Sequence, residues 1–297
     1  MNTDAFIITG PTASGKSDFA HSLARRVGGV VINCDSVQIY RGIENISASP
    51  LADMPMVDGC IDGVPYELFS VLPLSRQLSV CEYMDMARDA YARARAAGRP
   101  AVFVGGTGYY INAILNGISP MPDIDADVRM RARNMVDADI NTAKQMLGPN
   151  APRDPQRVAR ALEVFLQTGR YITEFQAAPR IGAITPRPCV VLINPDAAVL
   201  KSRIVARIPK MIDAGALDEA QRIIDNNWDP SRAIGAVQAC AYLRGDISRD
   251  ECIKNWITKT RQYAKRQRTW FRTQFTADIE INQTPTDADV DAVIGNN

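Results

Sequence analysis

The sequence has 297 residues, of which 46% are hydrophobic and 23% charged, and its formal net charge is +1. This composition is ordinary for a globular protein and argues against a disordered chain or one that is basic as a whole. The six cysteines are scattered without a Cys-x-x-Cys pair, and there is a single histidine, so we expect no zinc site and no disulfide framework. We expect no secretory leader and, since no apolar run of about 18 residues occurs, no membrane span; the sequence thus predicts a cytoplasmic protein.

The first part of the chain alternates short apolar strands with helices. The predicted elements are strands at 6–9, 30–33 and 101–104, a helix ending at Arg26, and helices at 81–97 and 109–115. Alternation of this kind predicts an α/β fold with a doubly wound parallel sheet. In such sheets, ligands bind beyond the carboxyl ends of the strands.

The pattern changes near Pro120, where the sequence becomes helical and rich in arginine. We therefore predict a core formed by residues 1–120 and 185–297, interrupted by a helical insertion at 121–184. A further strand is predicted at 189–193, followed by mostly helical chain to about residue 275. The polar tail beyond Asp278 is expected to be peripheral.

A phosphate-binding loop follows the first strand. Its residues are Gly10, Pro11, Thr12, Ala13, Ser14, Gly15, Lys16 and Ser17. In a loop of this type, backbone N–H groups surround phosphate oxygens, the lysine adds positive charge and the serine hydroxyl can ligate Mg²⁺. The strand at 101–104 ends in Gly-Gly-Thr-Gly and not in the Asp that hydrolases use for magnesium. The sequence therefore favours a transferase over a nucleotide hydrolase.

Two residues near the other strand ends are candidates for chemistry. Asp35 follows the strand at 30–33, where its carboxylate could accept a proton from a nucleophile or only form a turn. Thr107 lies in the Gly-Gly-Thr-Gly loop, which could bind an anion at a helix N-terminus or use the threonine as an ordinary cap. The residues alone leave both pairs of interpretations open.

Residues 254–272 carry seven basic residues and no acidic one. Trp256, Tyr263 and Trp270 recur every seven residues and share one face of a helix. The segment could be an amphipathic helix with a solvated basic face, or it could bind a phosphate backbone with aromatics that pack or stack on bases. A second basic helix is predicted at 153–163.

Together these segments resemble the tRNA dimethylallyltransferase family, also called tRNA isopentenyltransferases. The matching stretches, in the family's order, are residues 10–17, 35–42, 104–110, 154–164 and 260–272. The resemblance implies a P-loop NTPase-like fold. It also implies transfer of a dimethylallyl group from dimethylallyl diphosphate to N6 of adenosine 37 in tRNAs that read codons starting with U. The products would be N6-(dimethylallyl)adenosine and diphosphate, and the cofactor Mg²⁺, with Ser17 as its ligand.

The same resemblance implies roles for individual residues. Asp35 is expected to be the general base, Thr107 and Arg207 to bind the leaving diphosphate, and the loop at 10–17 to hold the donor's diphosphate. The expected tRNA contacts are Asp35, Ser36, Val37, Gln38, Thr107, Arg129, Gln156, Arg157, Val158, Ala159, Arg160, Lys265, Arg266, Gln267, Arg268 and Arg272. The expected partners are thus the tRNA anticodon arm and dimethylallyl diphosphate, without a membrane or an obligate protein partner.

The chain departs from the family pattern at three places. It has Ser47-Ala-Ser-Pro where the family usually has Thr-Ala-Lys-Pro, Tyr66 where the family usually has His, and Gly235-Ala-Val-Gln where a Gly-Tyr-Arg/Lys-Glu stretch is typical. Three other functions are compatible with parts of the sequence: an adenylate isopentenyltransferase acting on a free nucleotide, a P-loop small-molecule kinase and a non-catalytic RNA-binding protein. The basic segment at 254–272 argues against the first, and intact Lys16, Ser17 and Asp35 argue against the last.

Overall fold

The computed structural model describes residues 3–185 and 187–296. The chain divides into two compact units. One is Asn116–Ala183, and the other is formed by the segments before and after it. The helical unit therefore begins at 116, where the sequence suggested 121, and ends at 183, where the sequence suggested 184.

The larger unit contains a seven-stranded sheet in the order β4-β5-β2-β7-β1-β8-β9, and β3 and β6 form a separate pair. The strands are β1 Ala5–Thr9, β2 Val30–Asn33, β3 Tyr40–Arg41, β4 Cys60–Ile61, β5 Val64–Glu67, β6 Leu72–Pro73, β7 Ala101–Gly105, β8 Cys189–Ile193 and β9 Ile279–Ile281. All neighbours in the large sheet are parallel except β4 and β5. The predicted α/β fold with a parallel sheet is confirmed, whereas the short β3, β4, β5 and β6 were not predicted.

Helices cover both faces of the sheet. Those of the described residues are α1 Lys16–Val27, α2 Pro50–Asp53, α3 Val80–Ala96, α4 Gly108–Asn116, α5 Ala126–Ala138, α6 Ile140–Leu147, α7 Pro155–Thr168, α8 Ile172–Gln176, α9 Ala197–Met211, α10 Leu217–Asp225, α11 Ala236–Leu243, α12 Arg249–Gln274 and α13 Asp287–Gly295. A π-helical turn, Ile212–Ala216, joins α9 to α10, and a 3-10 turn, Pro230–Arg232, precedes α11. No helix within the described part of the chain is long and apolar enough to cross a membrane.

The central strands are hydrophobic on both faces because helices pack on each side. All five residues of β1, β7 and β8 are buried. In β7, Val102 and Val104 belong to the cluster that includes Phe19 and Leu23 of α1. Phe103 points the other way, and its ring lies 6.3 Å from that of Tyr91 on α3. Two covered faces explain why these strands read as continuous apolar runs.

The register of the sheet brings three loops to one edge. Thr9 of β1 pairs with Gly105 of β7, and Asn33 of β2 pairs with Val104. The phosphate-binding loop, Asp35 and the Gly-Gly-Thr-Gly loop therefore start side by side. The packing there is tight, because a Cβ at Gly105 would lie 2.1 Å from the carbonyl oxygen of Cys34.

The expectation that the tail beyond Asp278 is peripheral is wrong. Residues Ile279–Ile281 form β9, which extends the sheet next to β8, and α13 packs on α1. Val290 and Val293 of α13 are buried in the main core. The tail escaped detection because a three-residue strand and a helix with two core positions give almost no periodic signal.

The unit Asn116–Ala183 has its own core. Helices α5, α6 and α7 pack around a small cluster. Its members include Ala132, Ala143, Val158 and Leu162, all buried. Alanine at two of these four positions lets the helices approach closely, and the arginines of α5 and α7 lie outside this cluster.

Candidate active site

The phosphate-binding loop leads directly into α1. Gly15, with φ 94°, precedes the first helical residue, Lys16, and Ala13 also has a left-handed backbone, with φ 66°. Arg203 of α9 donates to the carbonyl oxygens of Ala13 and Ser14 at 3.1 and 3.0 Å. These two hydrogen bonds fix the loop carbonyls against α9.

Arg207, one helical turn after Arg203, lies against the same loop. Its Nη2 donates to the Thr12 hydroxyl at 2.9 Å. Its Nε and the Ser14 hydroxyl are buried and have no hydrogen-bond partner among the described residues. Burial lowers the pKa of Arg207, and the Asp53 carboxylate partly offsets that effect. Unpartnered buried donors are rare, and an anion in the loop would satisfy both.

Lys16 lies in an environment that disfavours its charge. Burial lowers its pKa to about 8; the Asp35 carboxylate opposes this shift and the Arg207 guanidinium adds to it. Its Nζ donates to the Pro11 carbonyl at 3.5 Å. A bound phosphate would place negative charge next to Lys16 and so stabilise its protonated form.

Asp35 both forms a turn and lines the cavity. Its Oδ1 accepts the Val37 N–H at 2.9 Å, and its own N–H donates to Asn33 Oδ1 at 2.9 Å. The turn therefore fixes one carboxylate oxygen, while none of the described residues donates to the other. A fixed carboxylate with a free oxygen can accept a proton.

Thr107 does not use its hydroxyl to cap α4. Its Oγ1 accepts the Ser36 N–H at 3.0 Å and donates to the Ser36 hydroxyl at 3.2 Å. The Tyr263 hydroxyl lies close to the Thr107 side chain. Burial, with the Asp35 charge as a second cause, raises the pKa of Tyr263 above its ordinary value. Thr107 thus couples the loop after β2 to α12.

Gln267 of α12 bridges two loops. Its Oε1 accepts the Thr12 N–H at 2.8 Å and its Nε2 donates to the Gly106 carbonyl at 2.8 Å. The side chain is 7% exposed. This arrangement contradicts the expected tRNA contact by Gln267, because both ends of its amide already hold protein backbone.

A single cavity of about 1070 Å³ opens in front of these groups. Its lining includes Thr12, Ala13 and Gly15 of the loop, Lys16, Ser17, Asp35–Gln38, Arg203 and Arg207. The same wall includes Trp256, Tyr263 and Arg266 of α12, and Thr284–Asp287 and Val290 of the tail. The cavity thus places the phosphate-binding groups and Asp35 on one surface.

Helix α12 has a buried face and a basic face. Trp256 is 1% exposed and packs on the backbone at Gly235, and the Trp270 ring packs on Gly108. Trp256 is therefore a core residue and not a platform for bases, whereas Trp270 is partly exposed. Lys265, Arg266 and Arg272 are exposed, whereas Arg268 donates to the Asn194 side chain at 3.0 Å.

The expected tRNA contacts in the helical unit divide in the same way. Arg129 of α5 and Gln156 and Arg157 of α7 are exposed, and Ala159 and Arg160 are partly exposed. Arg160 pairs with Glu163 at 3.0 Å. Val158 is fully buried in the core of this unit, so its expected contact with tRNA is wrong for its side chain; its place at an apolar position of α7 explains this.

The departures from the family pattern have local partners. Tyr66 shares a hydrogen bond of 3.0 Å between its hydroxyl and Nδ1 of His21. The Ser49 hydroxyl caps α2 by accepting the Leu51 N–H. Gln238 Oε1 accepts the Gly235 N–H at 3.0 Å at the start of α11.

Sequence reasoning missed Arg203 in the site and the buried Glu219 outside the cavity lining, and it identified Tyr263 only as one of the aromatic residues on a helix face. Arg203 precedes Arg207 by one helical turn, so the i, i+4 spacing could have identified it. Tyr263 lies in the basic segment, but only the fold shows that it reaches Thr107. Glu219, a buried carboxylate of α10, carries no sequence signal beyond an acidic residue in a first helical turn.

Comparison with known proteins places this geometry in a family. The sequence model described as IPP transferase matches residues 38–274, and the one described as isopentenyl transferase matches residues 3–54. The chain belongs to the IPP transferase family. The first match includes the helical unit and α12, and the second includes the phosphate-binding loop and Asp35.

The similarity to individual relatives extends over almost the whole chain. It is 41% identical to a tRNA dimethylallyltransferase of Sphingopyxis alaskensis, over 90% of this chain and 89% of the relative. It is 40% identical to one of Agrobacterium fabrum, over 94% and 96%. The crystal structure of the full-length tRNA isopentenylpyrophosphate transferase of Bacillus halodurans superposes with a TM-score of 0.68 at 28% identity, covering 98% of this chain and 94% of that one.

Proposed function

We propose that this protein transfers the dimethylallyl group of dimethylallyl diphosphate to N6 of adenosine 37 in tRNAs that read codons starting with U. Transfer to tRNA is the activity named for its relatives. The observation that carries the proposal is one cavity that holds both a phosphate-binding loop and the Asp35 carboxylate. A carboxylate there suits proton removal from an acceptor that attacks a phosphate-bearing donor.

The donor half of the reaction belongs to the loop at 10–17. The diphosphate of dimethylallyl diphosphate accepts hydrogen bonds from the loop N–H groups, from Lys16 and from the unpartnered Nε of Arg207. When the bond between the allylic carbon and oxygen breaks, negative charge moves onto diphosphate. Positive groups fixed beforehand stabilise that charge without reorganisation.

The acceptor half belongs to Asp35–Gln38 and Thr107. The adenine N6 forms the new bond to the allylic carbon, and the proton it loses passes to Asp35. An adenine inside a stacked anticodon loop cannot present N6 to a cavity, so the base must turn out of the stack. The basic face of α12 and, in the other unit, exposed Arg129, Gln156 and Arg157 are suited to the RNA backbone.

The residues present fit a magnesium ion. Ser17 lines the cavity, and its hydroxyl is the kind of oxygen ligand that Mg²⁺ uses together with phosphate oxygens. No cluster of three acidic, histidine or cysteine side chains is found among the described residues, so the diphosphate would supply the remaining ligands. Bound there, Mg²⁺ would neutralise charge on the leaving diphosphate.

The other functions weighed from the sequence are not favoured. An adenylate isopentenyltransferase needs no basic helix, yet Lys265, Arg266 and Arg272 of α12 are exposed. A small-molecule kinase would transfer phosphate and not carbon. Because tRNA is the acceptor, we expect the protein to act in the cytoplasm.

A competition assay tests the proposal. The full chain is incubated with Mg²⁺, dimethylallyl diphosphate labelled in its prenyl group, and equal concentrations of tRNA and AMP. Label should appear in tRNA, and nuclease mapping should place it at adenosine 37. Label in AMP alone would establish the free-nucleotide reaction. A parallel incubation with γ-labelled ATP in place of dimethylallyl diphosphate would reveal a kinase by transfer of the labelled phosphate.

A further inference from the structure

Glu219 is a buried carboxylate outside the groups assigned so far. It lies on α10 and is 2% exposed. Its Oε1 accepts the N–H of Asn45 at 2.8 Å and the Asn45 side-chain amide at 2.9 Å, and its Oε2 accepts the Ile46 N–H at 2.8 Å. Burial raises the pKa of Glu219, and the same donors oppose that rise.

These donors belong to one helix-like turn, residues 43–49. Within it, Ser47 N–H donates to the Ile43 carbonyl at 2.8 Å and Ala48 N–H to the Asn45 carbonyl at 3.0 Å. The first N–H groups of such a turn have no partner within it. Glu219 supplies that partner from a helix more than 170 residues away in sequence, so it fixes where the turn sits.

The other end of the same turn holds Gln38. Its Nε2 donates to the carbonyl oxygens of Ser47 and Ala48 at 3.3 and 3.0 Å. Both amide hydrogens are then committed, and the amide oxygen is left as an acceptor. None of the described residues donates to that oxygen, and Gln38 lines the cavity that also contains Asp35.

We propose that Glu219 is a positioning residue for the acceptor base: it holds the turn whose carbonyls orient Gln38 with its amide oxygen available to an amine donor. The exocyclic N6 of adenine is such a donor. A reversed amide would present hydrogens to that amine and repel it. The inference rests on the proposed function, because it assigns the acceptor side of the same cavity.

A role limited to folding predicts something different. If Glu219 only stabilises the protein, its loss lowers the amount of active enzyme and leaves both Michaelis constants unchanged. If it positions Gln38, its loss raises KM for tRNA and leaves KM for dimethylallyl diphosphate unchanged. The donor loop at 10–17 makes no hydrogen bond with the turn at 43–49 among the described residues, so the two effects are separable.

The test compares Glu219→Gln with the matched control Asp218→Asn, which alters an exposed carboxylate on the same helix. A glutamine at 219 turns one acceptor into a donor facing an N–H group. We expect KM for tRNA to rise about tenfold, the effect of losing roughly one hydrogen bond, with less than a twofold change in KM for the donor. The control should behave as wild type. Unchanged KM for tRNA in E219Q, or an equal rise in both constants, overturns the inference.

A double-mutant cycle with Gln38→Ala identifies the route. Because Glu219 acts through Gln38, E219Q should add nothing to the KM for tRNA of Q38A; effects that multiply overturn the inference. If E219Q does not fold, Asn45→Ala removes one of the bonds to the carboxylate and should raise KM for tRNA alone, by a smaller factor. If the wild-type protein fails to label tRNA, the proposed function itself is refuted. If the wild-type protein labels tRNA normally and E219Q has an unchanged KM for tRNA, only the role of Glu219 is refuted.

Discussion

Gln267 accepts a hydrogen bond from the backbone N–H of Thr12 at 2.8 Å, although the two residues are 255 positions apart. With its bond to the Gly106 carbonyl, it ties α12 to both the phosphate-binding loop and the Gly-Gly-Thr-Gly loop. The basic helix and the donor site are therefore one structure.

Replacing Gln267 should loosen donor binding. Gln267→Ala leaves two backbone groups without partners, and we expect about a tenfold rise in KM for dimethylallyl diphosphate in steady-state transfer assays. Gln262→Ala, an exposed position of the same helix, is the control and should have no effect. A normal donor KM in Q267A would show that the loop does not need this bridge.

The lowered pKa of Lys16 predicts that donor binding weakens at alkaline pH. In the free protein Lys16 loses its proton near pH 8, whereas a bound diphosphate favours the charged form. Binding above pH 8 must therefore take up a proton, and the Kd should rise by up to about tenfold per pH unit. Calorimetric titration in two buffers of different ionisation enthalpy, from pH 7 to 9.5, measures both effects.

Lys16→Arg is the control for that titration, because arginine stays charged over this range. Its affinity for the donor should be lower at pH 7 but flat up to pH 9.5. A flat profile in the wild type would instead mean that Lys16 keeps its charge without a ligand.

Trp256 should contribute to stability through its contact with Gly235. A Cβ at Gly235 would lie 2.0 Å from the Trp256 ring, and the backbone there has φ +102°. We expect Gly235→Ala to reduce the free energy of unfolding by at least about 3 kcal/mol. Gly245→Ala, at φ +80° with open space around it, should cost only about 1–2 kcal/mol. Equal losses in urea denaturation would contradict the packing role.

The exposed basic residues of α12 should bind tRNA through its phosphates. Arg272→Ala is expected to weaken binding of all tRNA sequences alike and to reduce the slope of log K against log salt by about 1. Arg99→Ala, an exposed arginine at the amino end of β7, removes the same charge away from the site. Identical salt slopes for the two variants, by filter binding, would exclude Arg272 from the interface.

The sequence predicted those elements whose signals are local. Strands at 30–33 and 189–193 have the predicted bounds, since buried parallel strands read as apolar runs between glycines and polar residues. The loop at 10–17 follows from its glycine and lysine spacing. By contrast, β9 and α13 were missed because each has few core residues.

Within the site, what the sequence could not supply are contacts between distant segments. The positions of Glu219, Arg203 and Tyr263 depend on how α9, α10 and α12 pack. Gln267 and Val158 show the opposite error: the resemblance assigns every residue of a stretch to tRNA, although a helix has to bury one side. Burial of individual positions in a basic helix becomes known only from the fold.

Asp35→Asn tests the central claim most directly, because asparagine keeps the Oδ1 acceptor for the Val37 N–H but cannot take a proton from N6. The measurement is single-turnover transfer of labelled dimethylallyl groups to saturating tRNA, with tRNA affinity measured in parallel. General-base catalysis predicts a rate lowered by about 10²–10⁴-fold with tRNA affinity within twofold of wild type. A D35N enzyme that transfers the prenyl group at the wild-type rate would contradict the role of Asp35.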